Sequence, residues 1–459
     1  MSRKTIAVLA TLDTKGPEAE FMARQIARHG STALLIDVGV TGTPRAKPGV
    51  TRQEVAEAGG TPLAALLSNP TREVAAPVMA DGATAIVSRL AKEGKIHGVV
   101  GLGGTQGTTL CTKAMRALPY GFPKVMLSTM ASGNVSHWVD IRDITMMFSV
   151  TDIMGLNPVM RKMLANAAGA VCGMADVEVT LRTGGKPLVA ITTVGITTKG
   201  AMKAAEILEA AGFETIVFHA IGPGGRAMEQ MMREGIIGAV LDFSTIEVSN
   251  EMYHALLAGG PDRCTTAGKL GLPQVLAPGA IEVLVYNEPE TVPPPYNTRT
   301  LIRHSPQITD VRLDAQEMAA VGRELARRLQ STHSPAVFMI PTAGYDSYAV
   351  RGQGFHDPAA DREFERELKA GLPACIRVVE RNTHIEDPAF ATEAAQTLIG
   401  LIEAAEKANP ALKAKPAAKA RSAAKARPAA KARSAAKART ASRPRTVGRK
   451  PAGKGRRAR

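Results

Sequence analysis

The sequence is poor in cysteine and in aromatic residues, and it contains no long apolar run. Its four cysteines are widely spaced, which argues against a disulfide framework and a cysteine-based zinc site, and we expect core positions for Cys111, Cys172, Cys264 and Cys375. There is no run of 18 apolar residues, and no apolar signal stretch precedes the first strand-like segment at residue 5. The sequence therefore predicts a cytoplasmic protein without a membrane partner.

Acidic residues are absent from the last part of the chain. Residues 411–459 contain 18 Lys and Arg residues and no Asp or Glu, whereas residues 1–410 contain 39 basic and 42 acidic residues. The formal net charge of +15 therefore comes from the tail, because the body carries −3. A basic excess favours nucleic-acid or membrane contact, and here that tendency belongs to the tail alone.

The basic tail is also a low-complexity segment. The units AAKARS, AAKARP, AAKARS and AAKART follow one another across 417–440. Such a composition cannot bury a core, so we predict a disordered tail over 409–459. Its charges suit phosphate backbones but cannot read bases, which predicts non-specific nucleic-acid binding. The alternative is a solubilising extension that binds nothing.

The body alternates short apolar runs with longer amphipathic runs, a pattern typical of βαβ units. Strands are predicted at 5–13, 31–40, 97–104, 123–130, 144–150, 187–195, 213–222, 236–244, 273–286, 335–344 and 375–382. The stretch LRTGGKP, with two glycines and a proline, separates the two halves. We therefore predict an α/β protein with two doubly wound, Rossmann-like domains of mainly parallel sheet, over 1–183 and 184–408.

A glycine-rich loop follows the third predicted strand. Because ligands of open parallel sheets bind beyond the carboxyl ends of the strands, the strand-to-helix loops are the places to seek chemistry. The segment GLGGTQGTT interleaves glycines with hydroxyl groups, which is typical of a phosphate cradle at a helix N-terminus. The predicted phosphate contacts are Gly103, Gly104, Thr105, Gln106, Gly107 and Thr108. A plain tight turn is the alternative.

Two further loops are predicted at the same edge of the sheet. The loop STMASGNVS after the fourth strand offers Thr129, Ser132 and Gly133. The first strand ends in ATLDTKGPE, where Lys15 would pair with a phosphate and Asp13 would hold a ribose hydroxyl or a metal-bound water. The alternative is that Asp13 caps the next helix and Lys15 is solvated.

The second half carries the polar residues best suited to reaction chemistry. His219 and Asp242 end predicted strands, Arg226 lies in the glycine-rich loop IGPGGRAME, and Glu247 follows Asp242. Parallel strands bring their ends together, so His219, Asp242 and Glu247 could bind a divalent metal or act as acid and base. The alternative is helix capping and a core histidine. Structural roles are favoured for the more scattered His304, Asp346, His356, Asp357 and His384.

Several segments resemble a known family in order and spacing. ATLDTKGPE, GLGGTQGTT, VFHAIGPGGRAMEQMMREG, VLDFSTIEV and GFHDPAAD are similar to segments of the ATP-binding domain family of the tomato mosaic virus resistance protein, and the resemblance covers about 3–405. It implies two Rossmann-like halves, ATP binding in the first half, and self-association. We expect Mg²⁺ to accompany the ATP and the assembly to be a dimer or tetramer. In the plant member the domain binds a viral replication protein.

These observations favour a cytoplasmic ATP-binding protein, expected to be an ATP-dependent enzyme acting on a small carboxylate or sugar-like metabolite between its domains. The alternative is a non-catalytic nucleotide-sensing or scaffold module whose basic tail binds nucleic acid. An NAD-dependent dehydrogenase is disfavoured, because no GxGxxG motif is followed by a suitably placed acidic residue. The sequence does not identify a metal.

Overall fold

The computed structural model describes residues 3–68, 70–179 and 186–408. They form an α/β protein in two domains with mainly parallel sheets, so the predicted fold class is confirmed. The predicted disordered tail over 409–459 lies outside the described residues. The predicted boundary between the domains, at 183 and 184, also lies outside them and stays a prediction.

The first domain contains a five-stranded parallel sheet in the order β2-β1-β3-β4-β5. Its strands are β1 (Thr5–Ala10), β2 (Thr32–Asp37), β3 (Gly98–Gly103), β4 (Lys124–Ser128) and β5 (Thr145–Phe148). The order reverses at β1, so the crevice between β1 and β3 is a topological switch point, where doubly wound sheets bind ligands.

Helices cover both faces of this sheet. They are α1 (Leu12–Arg28), α2 (Arg52–Ala58), α3 (Leu63–Ser68), α4 (Arg72–Lys92), α5 (Thr105–Arg116), α6 (Ser136–Val139) and α7 (Pro158–Asp176). Alternate residues of β1 serve the two cores: Ala7 and Leu9 pack towards α4 and α5, whereas Ile6 and Val8 pack towards α1 and α7. This two-sided burial explains why the strand is apolar throughout rather than alternating.

The second domain repeats the same winding with one more strand. Its six-stranded parallel sheet has the order β14-β13-β9-β8-β6-β7, which reverses at β6. The strands are β6 (Leu188–Thr193), β7 (Thr215–His219), β8 (Ile237–Ser244), β9 (Gln274–Gly279), β13 (Ala336–Pro341) and β14 (Ile376–Arg381). The helices are α8 (Thr198–Ala210), α9 (Pro223–Arg233), α10 (Ile246–Met252), α11 (Thr266–Leu270), α12 (Ala315–Leu329), α13 (Pro358–Gly371) and α14 (Pro388–Ala408).

A small antiparallel sheet interrupts the second domain between β9 and α12. Its strands are β10 (Val283–Tyr286), β11 (Leu301–Ser305) and β12 (Ile308–Arg312), with β12 in the middle. The single strand predicted over 273–286 is therefore two strands, because the chain turns at Ala280, which has φ of 56°. One face of the small sheet, with Val283 and Val285, packs against residues after β6 and β8, including Val194 and Ile246.

One helix among the described residues, α4, is long and apolar enough to cross a membrane, with a hydropathy of 1.2. Its residues Met79, Ala83 and Val87 are buried in the core of the first domain. A core helix passes the same test of length and composition, so this is weak evidence for a membrane span. The cytoplasmic location stays a prediction.

Candidate functional site

The glycine loop after β3 leads directly into α5. Helix α5 begins at Thr105, and its N-cap residue is Gly104, which has no side chain to cap the helix. A Cβ atom on Gly103 would lie 2.9 Å from the Cα of Gly107, so the backbone can fold back this closely only with glycine at that position. The exposed side chains of Thr105 and Gln106 border the first turn.

The loop after β4 lies beside this helix start. The Oγ1 of Thr108 and the Oγ of Ser128 are 2.6 Å apart, and Ser128 Oγ accepts the Met130 N–H at 2.9 Å. A Cβ on Gly104 would lie 3.6 Å from the Oγ1 of Thr129. The two loops predicted to bind phosphate are therefore neighbours, with Ser132 and Gly133 exposed further along the second loop.

Asp13 and Lys15 lie at the start of α1, after β1. A Cβ atom placed on Gly39 would lie 3.1 Å from Asp13 Oδ1 and 3.1 Å from Asp37 Oδ1. Two carboxylates therefore flank this glycine. Asp37 is buried, and its Oδ1 accepts the N–H groups of Leu12 and Gly39 at 3.1 and 3.0 Å. The Lys15 ammonium donates to the carbonyl of Ile153, in the loop after β5.

Asp37 was not among the predicted site residues. Its Oδ2 is buried without a hydrogen-bond partner among the residues that the structure describes. The sequence did contain a signal for it, since Asp37 ends β2 at the same edge as the predicted loops. Strand-end carboxylates at a switch point are candidate ligand contacts.

In the second domain, Asp242 and Glu247 meet around a buried arginine. The guanidinium of Arg263 donates to both oxygens of Asp242, at 2.6 and 2.5 Å, and its Nε donates to Glu247 Oε2 at 2.6 Å. The other oxygen of Glu247 accepts the N–H groups of Gly222 and Gly225 at 2.6 and 3.0 Å. The structure therefore brings two predicted catalytic carboxylates together, but they are buried and hydrogen-bonded within the domain.

Burial sets the protonation equilibria of this ion-pair network. Burial raises the pKa of Glu247, while the Arg263 guanidinium and the two glycine amides lower it. Burial opposes the charge on Arg263 as well, but Asp242 beside it holds the pKa of the guanidinium well above its usual range. The network consequently has a cation that stays charged beside Glu247, whose carboxyl group burial makes harder to ionise.

The other two predicted catalytic residues lie elsewhere. His219 is exposed at the end of β7, and Arg226 forms an ion pair of 2.9 Å with Asp140 of the first domain. Arg226 also lines a cavity of about 160 Å³ between the domains, together with Ile141 and Arg233. Among the described residues, no three His, Cys, Asp or Glu side chains form a group that could hold a metal ion. The catalytic roles of these four residues stay predictions.

A further polar group lies where the small antiparallel sheet meets the loop after β13, with His304 on β11 and Asp310 on β12. The Nδ1 of His304 is 2.9 Å from the Tyr348 hydroxyl and 3.8 Å from Asp310 Oδ2. Burial raises the pKa of Asp310 to about 7. Asp346 is buried nearby: its Oδ1 accepts the Tyr348 N–H at 2.6 Å, and burial raises its pKa. Of the residues that looked scattered along the sequence, the structure thus brings His304 and Asp346 to the same loop, through Tyr348.

Comparison with known proteins identifies the family. Residues 4–180 match the N-terminal domain, and residues 186–402 the C-terminal domain, of the uncharacterised protein family UPF0261. The chain belongs to the UPF0261 family. A UPF0261 protein of Clostridium tetani (strain Massachusetts / E88) is 40% identical over 401 residues, which are 87% of this chain and 99% of that protein.

The family resemblance found in the sequence is confirmed by a plant relative. The ToMV resistance protein Tm-1(GCR237) of Solanum lycopersicum is 34% identical over 328 residues, which are 70% of this chain and 43% of that protein. Nucleotide binding by the UPF0261 chain stays a prediction. A solved UDP-N-acetylglucosamine 2-epimerase aligns with 60% of this chain and 79% of its own, at 9% identity and a TM-score of 0.20, which carries no argument about function.

Proposed function

We propose that this UPF0261 protein binds ATP with Mg²⁺ in its first domain, with the phosphates against residues 103–108 and 129–133. The observation that carries the proposal is the start of α5, where a glycine N-cap without a side chain faces a second loop rich in hydroxyl groups. The first N–H groups of a helix and its dipole attract an anion, and glycines let the phosphate approach the backbone.

The carboxylates beside Gly39 suit the rest of the nucleotide. Mg²⁺ bound to a nucleotide takes one or two carboxylates together with phosphate oxygens and water. Asp13 is partly exposed and Asp37 has an unpartnered oxygen, so the pair would hold a ribose hydroxyl or the hydrated Mg²⁺. Lys15 adds a positive charge at the same edge. The two carboxylates and the ammonium group therefore fit the ribose, the Mg²⁺ and the phosphates of the proposed ligand.

We further propose that the protein is an ATP-dependent enzyme acting on a small carboxylate or sugar-like metabolite between its domains, and that it self-associates as a dimer or tetramer. The cavity of about 160 Å³ between the domains supports a small polar ligand, because arginines and carboxylates such as Arg226, Arg233 and Asp262 line it. The ion pair of 2.5 Å between Arg142 and Glu234 also joins the two domains next to it. Ligand sites form preferentially at such domain interfaces.

The alternative is a nucleotide-sensing or scaffold module that binds ATP without turnover. The basic tail, with 18 Lys and Arg residues and no Asp or Glu, favours this alternative. A phosphate-release assay separates the two. Release that a panel of carboxylate or sugar-like metabolites stimulates would support the enzyme, whereas tight ATP binding without release across the panel would support the module.

The nucleotide site is tested by Gly104→Val with isothermal titration of ATP and Mg²⁺. A side chain at 104 has room, since its Cβ would meet only Thr129 Oγ1, at 3.6 Å, so the domain should still fold. The valine would nevertheless cover the helix start and abolish binding. Gly173→Val on α7 is the control, because among the described residues no atom outside its own stretch of helix lies within 4 Å of its Cβ position. Unchanged ATP affinity in Gly104→Val would refute the site.

A further inference from the structure

The imidazole of His304 lies at the switch point of the second sheet. The strand order reverses at β6, and the crevice beside the end of β6 is where a doubly wound sheet binds its ligand. Gly195 follows β6, and its Cβ position is 3.5 Å from His304 Cε1 and 3.8 Å from His304 Nε2. Strand β11 of the small sheet therefore carries a histidine to the place where a ligand is expected.

The two ring nitrogens of His304 have different surroundings. Nδ1 contacts the Tyr348 hydroxyl, with the Asp310 carboxyl group behind it, whereas Nε2 is on the Gly195 side. When Nδ1 donates its proton to Tyr348, Nε2 keeps a lone pair that can accept a proton from a ligand. The side chain is 43% exposed, so the imidazole ring is accessible from solvent. A histidine backed by a carboxylate is the usual arrangement of a general base.

A helix start lies next to this base. Helix α8, of 13 residues, begins at Thr198, directly after the 3₁₀ turn Gly195–Thr197. The Ser347 N–H donates to the Ile196 carbonyl at 3.1 Å, which ties this turn to the loop that carries Tyr348. The Lys199 N–H, in the first turn of α8, donates to Glu386 Oε1 at 3.1 Å, so a carboxylate of the domain already lies at this helix start. The 3₁₀ turn matters for the site because it holds Gly195 beside the His304 ring.

The charges around His304 select against an anionic ligand. Asp310, Asp346 and Glu282 are all buried in this region, and the guanidinium of Arg312 is already bonded to Asp361 at 2.6 Å. Glu282 Oε1 is 3.8 Å from Arg312 Nη1. Because Arg312 is already paired, the residues named here leave no free cation for an anionic ligand, so an uncharged ligand with carbonyl and hydroxyl groups fits better than a carboxylate.

We propose that His304 is the catalytic base of a site that removes the proton next to the carbonyl group of a small uncharged sugar-like compound. The α-proton moves to Nε2, the C–H electron pair forms the carbon–carbon double bond, and the carbonyl π pair moves to oxygen. Asp310 offsets the charge of the imidazolium. The proton returns from the imidazolium to carbon, so no co-reactant is consumed. Asp310 and Tyr348 act as positioning residues.

This inference names a substrate class for the metabolite half of the proposed function, and it does not require the nucleotide. The test uses the full-length chain without ATP, in D₂O, with dihydroxyacetone and glyceraldehyde as uncharged probes and pyruvate as the anionic comparison. Loss of the α-proton signal is followed by ¹H NMR. We expect the wild type to accelerate exchange of the uncharged probes and not of pyruvate.

His304→Gln should lower kcat for this exchange by about 100-fold with KM unchanged, because it removes the base and keeps a polar side chain of similar size. His333→Gln is the matched control, since His333 is an exposed histidine of the same domain, and its rate should equal that of the wild type. Asp310→Asn and Tyr348→Phe should each lower kcat about tenfold with KM unchanged, which loss of packing alone would not produce.

Two results would overturn the inference: no acceleration of either uncharged probe by the wild type, or a full rate in His304→Gln. Thermal melting of each variant shows whether it is folded. The ATP titration of the same preparations keeps the two proposals separate. Intact ATP binding without exchange would reject the His304 site alone, and exchange without ATP binding would reject the nucleotide site alone.

Discussion

The two domains have the same strand order, apart from one extra strand in the second sheet. The side chains at the carboxyl ends of their strands are very different. In the first domain the loops after β3 and β4 are glycine-rich and expose side chains such as Thr105 and Ser132. In the second domain the carboxylates at strand ends are buried, and a small antiparallel sheet packs against that edge. The shared topology therefore shows where a ligand can bind, but the side chains decide whether the edge serves binding or stability.

Arg263 illustrates how the second domain uses its strand-end carboxylates. Asp242 and Glu247 occupy positions at which a ligand contact is expected, yet both bind a guanidinium that is fully buried. Among the residues that the structure describes, no Lys or Arg side chain forms an ion pair with Asp13, which is partly exposed beside Gly39. A strand-end carboxylate is consequently available for a ligand only where the fold does not supply a counter-ion.

The largest effect is expected from Arg263→Ala. This change leaves Asp242, Glu247 and Glu229 buried without their cation, which should lower the free energy of unfolding of the second domain by about 3–5 kcal/mol. Trp138 is the single tryptophan and lies in the first domain, so its fluorescence reports that domain during urea unfolding. The urea midpoint of unfolding measured by circular dichroism should fall, and the midpoint measured by Trp138 fluorescence should not change.

Arg381→Ala provides the control for this comparison. Arg381 belongs to the same domain and pairs with Glu393, but its side chain is 48% exposed, so no measurable shift is expected. Equal shifts of the two midpoints in Arg263→Ala would show that the domains unfold as one unit and that the comparison fails.

Rising pH should destabilise the second domain. The folded pKa of Asp310, about 7, lies above its value of about 4 in an unfolded chain, so the folded domain binds more protons between these limits. Stability is therefore fully present below pH 4 and is lost as the pH rises to about 7, by on the order of 4 kcal/mol for this group. Burial raises the pKa of Asp346 and of Glu282 in the same direction.

The measurement is the urea midpoint by circular dichroism from pH 5 to pH 8, with Trp138 fluorescence as the reading for the first domain. Asp310→Asn should weaken the dependence on pH without abolishing it, because Asp346 and Glu282 still titrate in the same direction. Asp262→Asn, in the same domain with a side chain 65% exposed, should retain it. A second domain whose stability rises over this range would contradict the assignment of Asp310.

The apolar pattern predicted the architecture well because it depends on residues that are close in sequence. Runs such as TIAVLA and AVFMIP are buried on both faces and are recognisable without any partner. The segments LIRHS and ITDVR form β11 and β12, but they mix charged and apolar residues, and the sequence gives little indication of them. Their pairing depends on Val283 and other distant residues.

The side-chain groups were harder to predict for the same reason. Arg263 lies in an irregular segment 21 residues after Asp242, and no pattern connects them. His304 and Tyr348 are 44 residues apart and meet only because the small sheet folds over the loop after β13. By contrast, Gly103 and Gly107 were predictable, since a short glycine-rich loop after a strand has a local physical reason.

A smaller effect is expected in the first domain from Thr109→Val. The indole N–H of Trp138 donates to Thr109 Oγ1 at 3.0 Å and would lose its acceptor. A lost hydrogen bond of this kind costs about 1 kcal/mol, well below the cost expected for Arg263→Ala. The Trp138 midpoint should fall slightly, and Thr109→Ser, which keeps the hydroxyl, should restore it. A loss as large as that in the second domain would contradict the contrast drawn here.

The smallest effect on either domain is expected from deleting residues 411–459. The deletion should leave both unfolding midpoints and ATP binding unchanged, yet abolish binding to DNA or RNA, which we propose for the 18 basic residues of this tail. If the full chain contacts about 6–10 phosphates, its affinity for nucleic acid should fall about 10³- to 10⁵-fold between 50 and 200 mM salt, without sequence preference.

A variant whose tail has equal length but carries Gln in place of every Lys and Arg separates the effect of charge from the effect of length. Because residues 1–410 carry a net charge of −3, a truncated protein that still bound nucleic acid at the same salt would place the site on one of the domains and refute the proposal for the tail.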